Sequence, residues 1–576
     1  MEVEKYKLNI EREFVRTNSK NEIIDDKFPE VFGDKKKNNF ITSDDENKIF
    51  KIITPKENNI YDAYDKLEEI TNVVIEELYK LNQNIWPFYT YKTSTEQIKL
   101  YTNINFSLNK SYCEEQNLNF KNIDELYSKI KTSIEKNYNI INKIVGDFKI
   151  DLNKNGIKIS NIKVDSSSKC GITLDTLKIF LVILFSGLEE KHISSLDEEI
   201  ELLKKVNKKY YLKADEVLEN IKQYKDSTDK LDKDEIKKII EKYKEEGHNS
   251  RYCLQNYKKL VSESVVIIKD AISRGIDYEI LNEAKSIVKF KIGDKSEFVI
   301  EGNKTDRDSY IFPIITDDKY IAKQIMKENG LNVPKAILLK KSMDKNDIEF
   351  ILQPFFDSKL VVKPRNTNYG IGITVFSQNA SKEQILKAIE YAFKFDDNVL
   401  IEEYIKGMEY RFLVIDGKCL SICHRRVASV VGDGKSTIKQ LIEEKNKEPW
   451  HYLTATPVKM DEPVVEFLKL QGYDFETVLP KDKRVFLRTN SNCSTGGESI
   501  DMTDKIPDYF KKVAEKAAKA FNAKICGVDI IIDDFNKKDY AIIEINDNPG
   551  YSINEWPYEG RGQKIGIAIL ELLDLI

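Results

Sequence analysis

Three oxygen-bearing side chains near the end of the chain, Asp529, Glu544 and Asn546, have the types and spacing of a divalent-cation site. They lie in VDIIIDDFNKKDYAIIEINDNPG (528–550), where two apolar, β-branched runs flank the polar connector Asp533 to Asp539. That pattern predicts an antiparallel hairpin. With the turn centred on Phe535–Lys538, Asp529 falls opposite Glu544, where facing Cβ atoms lie about 5 Å apart. Alternation puts Glu544 and Asn546 on one face, and Ile530, Ile532, Ala541, Ile543 and Ile545 on the other. Two ionised oxygen ligands and one neutral one suit Mg²⁺, with Mn²⁺ as an alternative ion, because Mg²⁺ is usually held by one or two carboxylates together with substrate phosphates. The plain alternative is a solvated acidic hairpin, and residues upstream decide between the two.

Those residues belong to a stretch that alternates short β runs, glycine-bearing loops and helices from Ile314 onward. DDKYIAKQIMKENGLNVPKAILL (317–339) predicts a helix ended by Gly330, with Lys319 at its start, where ammonium and helix N-terminus can both face a phosphate. KLVVKPRNTNYGIGITVF (359–376) predicts strand, Lys363, a glycine loop and a second strand. Gly370 and Gly372 permit close backbone approach to phosphate, and Lys363 supplies a point charge. No GKS/T ending makes this a Walker loop, and no GxGxxG opens a helix. VLIEEYIKGMEYRFLVIDGKC (399–419) predicts a strand, a connector carrying Glu402 and Glu409, and a hairpin through Asp416-Gly417.

The order Lys, Lys with glycine loop, EEYIKGxEYR, then D…ExN resembles the ATP-grasp superfamily, in which two α+β lobes clamp ATP and a carboxylate is activated as an acyl phosphate. VASVVGDGKSTIKQLIEEKNKEP (427–449), VFLRTNSNCSTGGESIDMTD (485–504) and AKICGVDIIIDD (523–534) are similar to the glutathione synthetase half of the bifunctional glutamate-cysteine ligase/glutathione synthetase family. Several of these phrases are shared by the ATP-grasp domain of cyanophycin synthetase. The resemblance covers about residues 314–576. It implies that Lys319 and Lys363 hold ATP phosphates. It places Glu402, Glu403 and Ile405 at the adenine-side linker and makes Glu409 the ribose carboxylate. Asp529, Glu544 and Asn546 then hold the metal, two Mg²⁺ ions by family habit. Arg411 and Arg488 are the candidates for the acyl phosphate or the substrate carboxylate.

The first half resembles the other activity incompletely. LNIEREFVR carries Glu11 and Glu13 where the glutamate-cysteine ligase metal phrase has them, and IWPF and KVDSSSKCGITLDTLKIFLVILF match later phrases. Lys51 stands where that family has a metal-binding Glu, and Asn103 where it has His. ISNIK (159–163) lacks the Glu and Arg of its LExR phrase, and a segment between Val145 and Ile157 is almost absent. An ammonium in place of a carboxylate repels the cation such chemistry needs.

The expected fold class is α+β: a C-terminal ATP-grasp fold over 301–576, preceded over 1–300 by a truncated, degenerate glutamate-cysteine-ligase-like domain, helical at about 190–290. Its periodic stretches include Ala63, Leu67, Ile70, Val74 and Leu78, and helices are expected at 123–145 and 174–188. The implied function is ATP-dependent ligation of γ-glutamylcysteine to glycine, with the first domain inactive. Its rivals are a ligase with another acyl or amine substrate, and a non-catalytic ATP-binding scaffold. NPGYSINEWPYEGRG (548–562) lacks the histidine that the family shows after NP, in a loop expected to meet the nucleophile.

Composition excludes other classes. With 91 basic and 96 acidic residues, the net charge of −5 gives no field for nucleic acid or an anionic membrane. The seven cysteines are scattered without CxxC, against a disulfide framework or structural zinc. Cys419, Cys423 and His424 read as strand residues. MEVEKYKLNIERE has no apolar signal region, and the apolar run 179–185 is far short of a membrane span. The expectation is a cytoplasmic protein that, like the related bifunctional enzymes, forms a homodimer.

Overall fold

The computed structural model describes most of residues 6–108, then 149–153 and 156–162, and nearly all of 254–576. The helices expected at 123–145 and 174–188 and most of the helical block lie outside the described residues, as does Gly370. The chain forms two compact units, residues 1–256 with 271–277, and residues 257–270 with 278–576.

The first unit contains a six-stranded antiparallel sheet in the order Ile41–Ser43, Phe50–Ile53, Tyr6–Phe14, Thr102–Leu108, Gly156–Ile162, Lys149–Asn153. The helix Ile60–Lys80 packs on it, and Ala63, Leu67, Ile70, Val74 and Leu78 are all buried, so the helical period is the buried stripe. Glu13 pairs across strands with Lys51, 3.4 Å between charged atoms. The expected helical texture persists at Ser262–Ser273, but Asp277–Asn282 and Ile287–Ile292 are strands. There the apolar residues alternate with a period of two, as in IVKFKI.

The second unit includes the three-stranded sheet of Asp277–Asn282, Ile287–Ile292 and Lys295–Ile300, a short pair formed by Ser429–Val431 and Arg484–Phe486, and two larger antiparallel sheets. One has four strands, Ala336–Lys340, Asn398–Glu403, Ser358–Pro364 and Thr374–Ala380. Its core joins Leu360, Val362 and Ile401 to Ile348, Leu352, Ile385 and Ile389 from two helices. The other has five strands, Glu498–Asp501, Lys418–Arg426, Met408–Ile415, Ile525–Ile532 and Ala541–Asn546. Phe412, Val414, Val528, Ile530 and Ile542 pack there against Met326, Phe510, Ala514 and Ala517. A third cluster, built from Val430, Ile438, Ile442, Val464, Leu479 and Leu487, holds the excursion between those sheet strands.

That excursion carries a buried ionic knot. Glu498 is fully buried and accepts from Arg426 Nε at 2.6 Å and from Lys445 Nζ. His451, also fully buried, has no hydrogen-bond partner on either ring nitrogen, and its nearest carboxylate, Glu498, is 4.0 Å away and already committed. Burial, and then the Lys445 charge, push its pKa down from 6.5 to about 3. The folded ring therefore stays neutral where the unfolded one protonates. Stability present above pH 6.5 is lost as pH falls from there towards 3, at up to about 1.4 kcal/mol per pH unit. Urea unfolding from pH 7 to pH 4 should show that slope, and His451→Phe should flatten it; an identical slope in the variant would rule His451 out.

Candidate functional site

The last hairpin forms as its alternating residues require, with Asp529 opposite Glu544. The register then shifts, so that Ile530 faces Ile542 and Ile543 is the extra residue of a bulge. Ile543 was expected in the core beside Ile545, but the core holds Ile542 and Ile545, and Ile543 lines a cleft beside Glu544. A bulge breaks the period of two and re-aims side chains. Lys323 Nζ donates to the Ile543 carbonyl at 3.0 Å and so holds the bulge.

The cleft has a volume of about 1310 Å³. Lys319, Lys363, Glu409, Arg411, Asp529, Glu544 and Asn546 of the expected residues all line it. Asp529 is 2% exposed, and its Oδ2 lies 3.5 Å from Asn546 Nδ2. Arg411 stands directly across from it on the neighbouring strand and clamps both carboxylate oxygens, Nη2 to Oδ2 at 2.7 Å. Burial alone would raise the Asp529 pKa, but Arg411 and then Arg425 hold it below the usual carboxylate range.

Gly527 leaves the space that Arg411 fills, since a Cβ there would stand 2.9 Å from Arg411 Cδ and 3.1 Å from Pro549 Cβ. Gly527→Ala should therefore displace the guanidinium and lower turnover at least about tenfold, the effect of misplacing one oriented group, while far-ultraviolet circular dichroism stays unchanged. Unaltered turnover would show that the clamp does not need this room.

The lysines expected at phosphate are positioned by a helix cap and a strand. Asp318 caps the helix Lys319–Glu328, accepting from the backbone N–H of Tyr320 and Ile321, and also receives Arg365 Nε at 2.8 Å. Lys319, beside it, donates to the Thr367 carbonyl and stands 3.5 Å from Glu544. Lys363 Nζ lies 3.0 Å from one oxygen of buried Glu402, and Lys323 Nζ lies 3.3 Å from the other. Burial, and then repulsion by Lys363, push the Lys323 pKa down to about 8. Gly372, at φ +77°, turns the loop after Lys363, and a Cβ there would come within 2.6 Å of the Pro364 ring.

Other expected residues do not reach the cleft. Glu402 lies beneath it as the anion between two lysines, and Glu403 accepts from the Lys335 backbone N–H at 2.9 Å. Ile405 is half-buried and outside the lining, and Arg488 pairs with Asp461 at 2.7 Å instead. Two residues escaped the sequence reading. Arg425 lines the cleft and pairs with Glu409, and Lys323 supports the bulge. The alternation of CHRR would have put Arg425 on the Arg411 face; nothing in the spacing marks Lys323 apart from its i+4 offset from Lys319.

The donor set fits a hard cation. Asp529 and Glu544 offer carboxylate oxygens and Asn546 a neutral amide, and a carboxylate with about four lone-pair positions can hold a guanidinium and a cation together. Among the described residues, no group of three or more His, Cys, Asp or Glu could hold a metal ion, so two carboxylates with the neutral amide, water or phosphate oxygens are the donors this cleft offers.

Comparison with known proteins agrees with this architecture. A glutamate-cysteine ligase family profile matches residues 2–100, an ATP-grasp-like domain 264–311, a D-ala D-ala ligase C-terminus 325–439 and a RimK-like ATP-grasp domain 483–571. The glutathione biosynthesis bifunctional protein GshAB of Clostridium perfringens is 39% identical over 409 residues, 68% of this chain and 52% of that protein. The protein of the same name from Enterococcus faecalis is 37% identical over 332 residues, 56% of this chain and 44% of that one. The chain thus spans about half the length of the curated relatives it matches. The crystal structure of a bifunctional glutathione synthetase from Pasteurella multocida shares the fold, with a TM-score of 0.75 at 23% identity over 99% of this chain and 98% of that one. The chain is a homologue of the bifunctional glutathione-biosynthesis proteins, an α+β chain with an ATP-grasp fold behind a glutamate-cysteine-ligase-like domain.

Proposed function

We propose that the second half is an ATP-dependent carboxylate–amine ligase working through an acyl phosphate, with γ-glutamylcysteine and glycine as its first-choice substrates. The observation that carries this is the single cleft in which Asp529, Glu544 and Asn546 face Lys319, Lys363, Arg411 and Arg425. Lys319 and Lys363 would hold the triphosphate, Glu409 the ribose, and the linker Glu402–Ile405 the adenine, at an edge beyond the cleft lining, with Glu402 also aiming Lys363 and Lys323. Asp529, Glu544 and Asn546 would hold Mg²⁺, which when bound neutralises the phosphate charge. Arg411 would shield the substrate carboxylate as it approaches the γ-phosphate, and the amine then displaces phosphate. Such work is orientation and charge stabilisation. Arg488 would serve the same carboxylate only by leaving Asp461.

Residues 1–300 are proposed as a domain without ligase activity, because the Lys51 ammonium on Glu13 puts a positive charge where that chemistry needs a cation ligand. Its remaining role is packing or assembly, in a homodimer checked by light scattering. No helix among the described residues is long and apolar enough to cross a membrane, and a cytoplasmic site of action goes with the reading.

A second reading keeps the chemistry and changes the substrate. Gly550 lines the cleft in the loop lacking the expected histidine, and the next residue is turned away, with Tyr551 O–H donating to the carbonyls of Glu263 at 3.0 Å and Gly302 at 2.8 Å. Phosphate release from ATP should be screened over γ-glutamylcysteine, other γ-glutamyl dipeptides and a panel of amino acids. Turnover with γ-glutamylcysteine and glycine supports the first reading, turnover only with other pairs supports the second, and none with any pair leaves a nucleotide-binding scaffold.

A further inference from the structure

We infer that Arg425 is a positioning residue that ties the ribose-side carboxylate Glu409 to the metal-side carboxylate Asp529, so that sugar recognition and metal binding in this cleft are one coupled event. The inference rests on the proposed nucleotide site and adds a residue to it.

The geometry comes from the sheet. Tyr410 pairs with His424, so one step along the ladder Glu409 and Arg425 stand opposite each other. On the other side of the same strand Arg411 pairs with Asp529. Opposed residues share a face and alternate residues return to it, so Glu409, Arg411, Arg425 and Asp529 form one patch. Arg425 Nη2 donates to Glu409 Oε1, and the same nitrogen lies 3.6 Å from Asp529 Oδ2. Its Nε is buried and has no hydrogen-bond partner, a donor left over in a cleft wall.

The charges decide what the link does. Arg411 already clamps Asp529, so Arg425 is not needed to neutralise it. Among the described residues Arg425 is the cation that Glu409 pairs with, and without it Glu409, 32% exposed, would be free to turn to solvent. Arg425 serves both anions through one nitrogen, donating to Glu409 and standing within ion-pair range of Asp529, and its planar, rigid guanidinium keeps that nitrogen between them in a way a flexible ammonium does not. A cation held at Asp529 would compete with Arg425 for that carboxylate, and Arg425 would then give more of its charge to Glu409 and fix it for the sugar hydroxyls.

Binding is the readout, because it needs no knowledge of the acyl substrate. A non-hydrolysable ATP analogue and its 2′-deoxy form are titrated calorimetrically into the full chain, at low and saturating Mg²⁺. Wild type should prefer the ribose form at least about fivefold, and the preference should grow with Mg²⁺. Arg425→Met should lose the preference and its Mg²⁺ dependence, Arg425→Lys should recover part of it, and Arg425→Met should cost nothing further in a Glu409→Gln background.

Equal preference in wild type and Arg425→Met, both with native circular dichroism, would overturn the link, as would a wild type that binds both nucleotides alike. If Arg425→Met does not fold, Arg425→Lys decides: a partial loss of the preference supports the link, and a preference and Mg²⁺ dependence equal to wild type overturn the positioning role of the guanidinium. A wild type that binds neither nucleotide overturns the ligase reading itself.

Discussion

Asp529→Asn should lower metal-dependent ATP turnover at least about 100-fold, the effect of removing one preorganised electrostatic group. The carboxylate is 2% exposed, shared between Arg411 and Arg425, and opposite Glu544. The amide keeps size and shape but loses the charge that would hold a cation, and it leaves two guanidinium groups facing each other. Some stability goes with it, because removing one member of a buried ion pair leaves charge uncompensated. Glu544→Gln separates the two effects. Glu544 is 31% exposed and 3.5 Å from Lys319, a pair worth less than about 1 kcal/mol to the fold. It should lose activity comparably while melting near wild type. If Glu544→Gln turns over ATP at the wild-type rate under limiting Mg²⁺, the hairpin is not the metal site.

The second large effect concerns stability. Glu498→Gln should cost about 3–5 kcal/mol, since the carboxylate is fully buried between Arg426 and Lys445 and its loss strands Lys445 and leaves Arg426 with Glu559 alone. Burial lowers the Lys445 pKa, and Glu498 opposes this first and Glu448 after it, so with Glu498 gone the lysine would be the first to shed its proton. The control is Glu559→Gln, whose carboxylate is 49% exposed and also touches Arg426; its loss should cost less than about 1 kcal/mol. Urea unfolding of the two variants measures the difference, and equal costs would mean that the knot stabilises no more than a surface pair.

Much of this was legible in the residues. The stripe Ala63–Leu78 and the facing of Asp529 and Glu544 follow from periodicity, and both lysines of the cleft stand where a capped helix and a strand end put them. Other parts depend on contacts that spacing does not encode. Ile543 leaves the core because a bulge adds a residue, and the bulge is held by Lys323 from a helix 220 positions away. Glu402 reads as a linker residue until two lysines are found on its oxygens. Arg488 looks free in LRTNSN until Asp461 is found beside it. Arg425 was within reach, since alternation along a strand is enough to put it beside Arg411.

The most direct measurement follows oxygen. With the glycyl-accepting carboxylate of γ-glutamylcysteine labelled with ¹⁸O, and glycine, ATP and Mg²⁺ supplied, attack of that carboxylate on the γ-phosphate must carry one labelled oxygen into the released phosphate. Mass spectrometry should find phosphate with a single ¹⁸O, formed in step with peptide product. Phosphate released without label would mean that water, not a carboxylate, is the nucleophile, and would contradict the account of this cleft as a ligase site.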